Sequence, residues 1–110
     1  IMVNLISNAK YAMSNLSDRP RQITLSITTV EDSILQISVK DEGEGIPAEN
    51  MTRIFTHGFT TRKEGHGFGL HSCALAAIEM NGRLTAHSDG PGKGALFTLQ
   101  IPLNDAAGPA

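Results

Sequence analysis

Two runs with strict two-residue alternation constrain this chain most. Ile23, Leu25 and Ile27 alternate with Thr24, Ser26 and Thr28, and Leu35, Ile37 and Val39 alternate with Gln36, Ser38 and Lys40. Successive side chains in a strand point to opposite faces, so each run is a strand with one apolar and one polar side. The polar break at Glu31-Asp32-Ser33 places a turn between them. A sheet with one apolar face has to be covered by a second layer, and the chain offers two covers. From Ile1 to Leu16, apolar Ile1, Leu5, Ala9, Ala12 and Leu16 recur at helical spacing, until Ser17-Asp18-Arg19-Pro20 ends the pattern. Leu70, Ala74, Ala77 and Ile78 mark a second helix, stopped at Asn81-Gly82. Leu84 to Ser88 and Ala95 to Leu103 read as a further hairpin joined by residues 89–94. Pro47 is expected to open a short helix ending around Phe55. Without regular alternation of strand and helix, the fold class is α+β: a two-layer sandwich of a mixed, mostly antiparallel sheet packed on helices.

Composition narrows the function. The 110 residues, 40% apolar and 18% charged, suit one small globular domain over residues 1–103, with 104–110 as a tail. Nine basic against 11 acidic residues give a net charge of −2, which excludes the basic footprint of a nucleic-acid binder and of a polybasic membrane surface. The lone Cys73 precludes an internal disulfide or a cysteine-built metal site, and with no apolar run near the roughly 20 residues of a membrane span, a cytoplasmic setting is expected. Because Ile1-Met2-Val3 is already in helical register without a cap, the chain is expected to be a piece of a longer protein.

Eleven glycines are more than such a domain needs for turns alone, and most fall in groups. Asp41 ends the core-facing row of its strand and is followed by Gly43 and Gly45. It either starts a tight turn or accepts a hydrogen bond from an exocyclic amine of a purine approaching the glycine backbone. Gly65-His66-Gly67-Phe68-Gly69-Leu70 opens a helix, an arrangement in which backbone N–H groups face an anion or form an ordinary flexible loop. Asn4 and Asn8, one turn apart, either are solvated or jointly orient a hydrated cation and phosphate oxygens. Gly92-Lys93-Gly94 fits many hairpin loops. His57, His66, His71 and His87 lack zinc-site spacing, and no nucleophile elbow is present.

Taken in order, Asn4-Leu5-Ile6-Ser7-Asn8-Ala9, Asp41-Glu42-Gly43-Glu44-Gly45-Ile46-Pro47, Ile54-Phe55-Thr56-His57-Gly58-Phe59-Thr60-Thr61, Gly65-His66-Gly67-Phe68-Gly69-Leu70 and Gly92-Lys93-Gly94 resemble the boxes of the bacterial sensor histidine kinase ATP-binding catalytic domain over about 100 residues. That family shares the Bergerat fold with gyrase, chaperone and mismatch-repair ATPases. The resemblance implies that Asn8 binds Mg²⁺ and that Asn4 supports metal or phosphate from the same helix face. It makes Asp41 the acceptor of the adenine amine, with Gly43 and Gly45 making room for the base. Phe55 and Phe59 would anchor the ends of a mobile lid, and Arg62 or Lys63 would reach phosphates. Gly65, Gly67 and Gly69 would wrap the triphosphate, and Gly94 and Thr98 would line the far side of the adenine pocket. Tyr11, Ile46, Thr60, Thr61, His66, Phe68 and Leu70 would complete the ATP-binding surface. Tyr11, His66 and Phe68 depart from the residues more usual in the family.

In the ATPase branches a glutamate normally stands where Asn4 stands here, and an amide cannot act as its base. The resemblance therefore implies phosphoryl transfer to a histidine of a separate phosphoacceptor helical hairpin upstream in the parent chain, and onward to a response regulator. None of the four histidines here has the acceptor's setting, so the chain alone is not expected to autophosphorylate. The parent would dimerise through the hairpin, leaving this piece free to be a monomer. The alternatives are a same-fold ATPase or serine kinase, and a non-catalytic nucleotide-sensing module.

Overall fold

The two alternating runs pair with each other. In the computed structural model, which describes residues 1–14, 20, 22–56 and 69–103, strand β1 (Ile23–Val30) lies antiparallel to β2 (Ile34–Asp41). Glu31 and Asp32 both take left-handed backbone angles, φ 55° and 57°, and the Ser33 N–H closes the turn on the Val30 carbonyl at 3.1 Å. β4 (Ala95–Pro102) joins the other side of β2, and β3 (Arg83–His87) joins β4, giving the order β1-β2-β4-β3. All three described pairings are antiparallel.

Register then decides what faces the helices. Leu25, Val39, Phe97 and Ala86 form one row across the sheet, and Ile27, Ile37, Leu99 and Leu84 form the next. Helices α1 (Met2–Ala12) and α2 (Gly69–Glu79) cover this side, and the core gathers Leu5 and Ala9 of α1, Cys73 and Ala77 of α2, and Val39, Leu84, Phe97 and Leu99 of the sheet. Coverage is uneven. Val39 is wholly buried, whereas Leu25 and Ile27, on the same apolar side of the sheet, are 51% and 70% exposed. α1 packs chiefly on β2 and α2 on β3, so the apolar row of the outer strand β1 runs beyond the helix layer.

Other sequence expectations shift in detail. α1 stops at Ala12 instead of running to Leu16, because the Ala12 carbonyl accepts the N–H of Glu44 at 3.0 Å and Met13 leaves the helical register; Leu16 itself lies outside the described residues. In α2 the expected Ala77 is fully buried, but its buried partner is Cys73 in place of Ala74, and the expected Ile78 is 65% exposed. Pro47 is extended and flanks a single 3-10 turn, Ala48–Asn50. Bonds spanning three residues continue from there to Thr56, a tighter winding than the expected α-helix. At the other end of α2, Asn81 takes φ 63°, its N–H reaches the Ile78 carbonyl at 2.9 Å and the Gly82 N–H reaches Ala77 at 2.8 Å. That is a Schellman stop with Asn in the left-handed position. No helix among the described residues is long and apolar enough to cross a membrane.

Candidate functional site

Alternation along β2 carries a carboxylate to the helix side of the sheet. Asp41 stands opposite Ala95 at the strand end and is 3% exposed. Oδ1 accepts the Gly43 N–H at 2.8 Å, and the Ala95 N–H also bonds the carboxylate. Burial pushes its pKa above the ordinary carboxylate value; the two backbone bonds pull the other way without cancelling it. A buried acid of this kind is costly unless its hydrogen-bonding capacity is used.

The segment after Asp41 is stitched to the β3–β4 connection. The Gly92 N–H donates to the Glu44 carbonyl at 2.8 Å, Gly94 to Gly43 at 3.2 Å, and Ile46 to the Ser88 hydroxyl at 3.0 Å. Three glycines permit this closeness: a side-chain carbon would run into the Ala12 carbonyl at Gly43, into the Gly90 carbonyl at Gly45, and into the Asp41 carbonyl at Gly94. The room that Gly43 and Gly45 make in the direction of a side chain is therefore taken by the chain's own backbone.

α1 links this cluster to a second one. Its C-terminal Ala12 touches Gly43 and Glu44, while Asn4, eight residues and about 12 Å back along the axis, lies beside α2. The Asn4 side chain comes within 3.8 Å of where a side chain on Gly69 would begin, so an amide meets the first turn of α2, whose leading N–H groups have no partner within the helix. Asn8, half-buried, stands one turn further on the same side of α1, and half-buried Tyr11 follows it. Leu70 packs against the core. Phe55 sets its ring edge against Phe97, centroids 6.3 Å apart at 86°, and its carbonyl bonds His71 Nδ1 at 3.0 Å. The end of that segment is thereby tied to α2. The expected site residues Phe59, Thr60, Thr61, Arg62, Lys63, Gly65, His66, Gly67 and Phe68 lie outside the described residues.

One expected position is corrected. Thr98 shares its row with Ser38 and Thr85, and its hydroxyl lies 3.5 Å from that of Ser38, on the sheet face away from Asp41. Since Phe97 points into the core, period-two alternation sends Thr98 outward and Ala95 to Asp41's side. Ala95 and Ser88 are the two site residues that the sequence motifs do not reveal. Alternation counted back from Phe97 finds the first; nothing local marks the second.

Chemically, the arrangement offers a buried acceptor at one end of α1, and the neutral Asn4 amide beside a helix N-terminus at the other, with Asn8 one turn along the same side. An elongated ligand with a hydrogen-bond donor at one end and an anion at the other fits both ends.

Known proteins resemble this chain in sequence and in fold. The chain is 38% identical over 105 residues to the sensor histidine kinase TmoS of Ectopseudomonas mendocina, an alignment covering 94% of this chain and 11% of TmoS. Among solved structures, the mycobacterial sensor histidine kinase MprB superposes with a TM-score of 0.78 at 18% identity, covering 91% of this chain and 68% of that one. The catalytic domain of the histidine kinase ThkA gives 0.74 at 28% identity, covering 92% and 62%. The chain spans only 11% to 27% of the length of the curated relatives it matches. The sequence profile described as histidine kinase-, DNA gyrase B- and HSP90-like ATPase matches residues 1–105, the stretch that holds both ends of the site. By this match and its fold, the chain belongs to the histidine kinase-, DNA gyrase B- and HSP90-like ATPase family.

Proposed function

We propose that this chain is the ATP-binding catalytic domain of a two-component sensor histidine kinase, which delivers the γ-phosphoryl group of ATP to a histidine on a separate phosphoacceptor hairpin. The observation that carries the reading is Asp41, a buried carboxylate held by backbone N–H groups at the rim of the sheet, with α1 leading from it to Asn4 and the start of α2. In this reading Asp41 accepts from the adenine amine, and Ile46 and Ala95 flank the base. Asn4 and Asn8 supply amide oxygens toward Mg²⁺ and the phosphates, and the Gly69–Leu70 turn of α2 offers N–H groups to phosphate oxygens. These neutral donors fit a hydrated divalent ion paired with an anion, which needs oxygen ligands and no further charge. When bound, Mg²⁺ spreads the negative charge of the reacting phosphates.

An amide at Asn4 offers no proton acceptor for an attacking water, so the site positions the phosphoryl group for an incoming nucleophile instead of hydrolysing it. On transfer, the bond from the γ-phosphorus to the bridging oxygen breaks, a bond to the acceptor imidazole nitrogen forms, and ADP leaves. The parent protein would be a cytoplasm-facing homodimer that hands the phosphate to a response regulator.

The test supplies the 110-residue chain with MgATP and a separate phosphoacceptor hairpin. Acid-labile phosphate on the hairpin, with little steady ATP turnover, is the expected result. Steady hydrolysis lost on Asn4→Ala would establish a same-fold ATPase, tight nucleotide binding without transfer would establish a sensing module, and labelling of this chain alone at a histidine would contradict the proposal.

A further inference from the structure

Ser88 stands just beyond β3, half-buried, with a hydroxyl whose bonding capacity is filled. It accepts the N–H groups of Ile46 at 3.0 Å and Gly90 at 3.2 Å, and donates to the Gly94 carbonyl at 2.7 Å, the Gly90 carbonyl at 3.4 Å being the more distant acceptor. A hydroxyl has one proton to give and two lone pairs to receive with, so these three bonds use all of it. Its partners sit on two different segments. Ile46 belongs to the stretch after Asp41 whose Gly43 N–H bonds the carboxylate, and Gly94 immediately precedes Ala95, whose N–H bonds the same carboxylate. The direct backbone bonds between the segments run through Glu44–Gly92 and Gly43–Gly94, and Ser88 adds the tie at Ile46, the outer end.

We infer that Ser88 is a positioning residue for base recognition: through Ile46 and Gly94 it sets how the two walls stand around the Asp41 carboxylate, and so how strictly the site selects adenine over guanine. This rests on the nucleotide reading above. Adenine presents an amino donor where guanine presents a carbonyl acceptor, so a fixed carboxylate attracts the first and repels the second. Loss of the Ser88 hydroxyl strips the Ile46 N–H and the Gly94 carbonyl of a partner and frees the walls to shift. Discrimination then falls further than affinity in general.

The experiment measures ATP and GTP binding by calorimetry on the 110-residue chain and on Ser88→Ala, Ser88→Cys and Ser88→Thr, with melting temperatures for each. The expected result is an ATP-to-GTP preference reduced about tenfold in Ser88→Ala, partly reduced in Ser88→Cys with its weak thiol donor, and largely restored in Ser88→Thr, which keeps a hydroxyl. A merely structural role lowers both affinities together and leaves the ratio unchanged, and that outcome overturns the inference. Should Ser88→Ala not fold, an unchanged ratio in Ser88→Cys overturns it equally. A wild-type chain that binds neither nucleotide overturns the nucleotide reading itself, a failure visible in the wild type alone, and one that binds both alike overturns the inference, because no preference is left for Ser88 to set.

Discussion

The carbonyl of Ala12, at the end of α1, occupies the volume that a side chain on Gly43 would need, and the same oxygen accepts the Glu44 N–H at 3.0 Å. Helix end and site segment are thus one packed unit. Gly43→Ala forces that carbonyl aside and breaks its bond to Glu44. It is expected to cost about 2–3 kcal/mol, the range of an overpacked interior with a lost hydrogen bond. Gly92→Ala meets no atom within 4 Å and carries only the strain of φ 79°, about 1–2 kcal/mol. Urea unfolding of the two variants checks the order.

Asp41 governs a pH dependence whose sign follows from its burial. The folded chain holds this proton more tightly than the unfolded chain, whose value lies near 3.8. Between that value and the raised one the folded state binds more protons, so the contribution of Asp41 to stability falls as pH rises through the window and is level above it. Asp41→Asn lacks this slope. Its stability relative to the wild type is expected to rise across the same window while ATP binding is lost. Denaturant midpoints measured at closely spaced pH values, with calorimetry at neutral pH, provide the comparison; a pH-independent difference between the two proteins contradicts the assignment.

Asn8→Ala removes an amide from the same side of α1 as Asn4. Under the proposed function it is expected to cut the Mg²⁺-dependent gain in ATP affinity about tenfold, equivalent to about 1.4 kcal/mol. Affinity measured in chelator is expected to stay nearly unchanged. Titrating ATP with and without Mg²⁺ separates a metal ligand from a residue that merely supports the helix, since the latter would lower both affinities.

Two apolar residues of similar size are expected to behave very differently. Leu5, 1% exposed, lies in the middle of the helix–sheet contact, and Leu5→Ala should cost about 2–5 kcal/mol. Ile27, 70% exposed on β1, should change stability by no more than about 0.5 kcal/mol on replacement by Thr, which keeps the branched shape that suits a strand. Thermal unfolding of both variants tests whether the helix layer ends short of β1.

Much of this architecture is legible in the residues. Alternation from Ile23 to Val39 specifies two strands and a turn, and carried two residues further it places Asp41 at the end of the inward row. Asn81-Gly82 marks the stop of α2 correctly, and the order of the glycine and asparagine boxes points to the family that the profile match establishes. Thr98 is misplaced by its motif, although the information is present: counting outward from Phe97 assigns it to the open face. Position within a motif does not reveal on which side of a strand a residue falls; parity does.

Periodicity reports which side of its own backbone a residue takes, and this chain's strands, turn and inward acid follow from that alone. It carries no information about where a second element will land. Only the packed structure decided that α1 covers Val39 and leaves Ile27 exposed, that α2 buries Cys73 in place of Ile78, and that the space beside Gly43 belongs to Ala12. Ser88 became part of the site in the same way, through partners as distant in the chain as Ile46. Each of these is a contact between segments far apart in sequence, set by close packing across the whole domain, and no local pattern of residues encodes it.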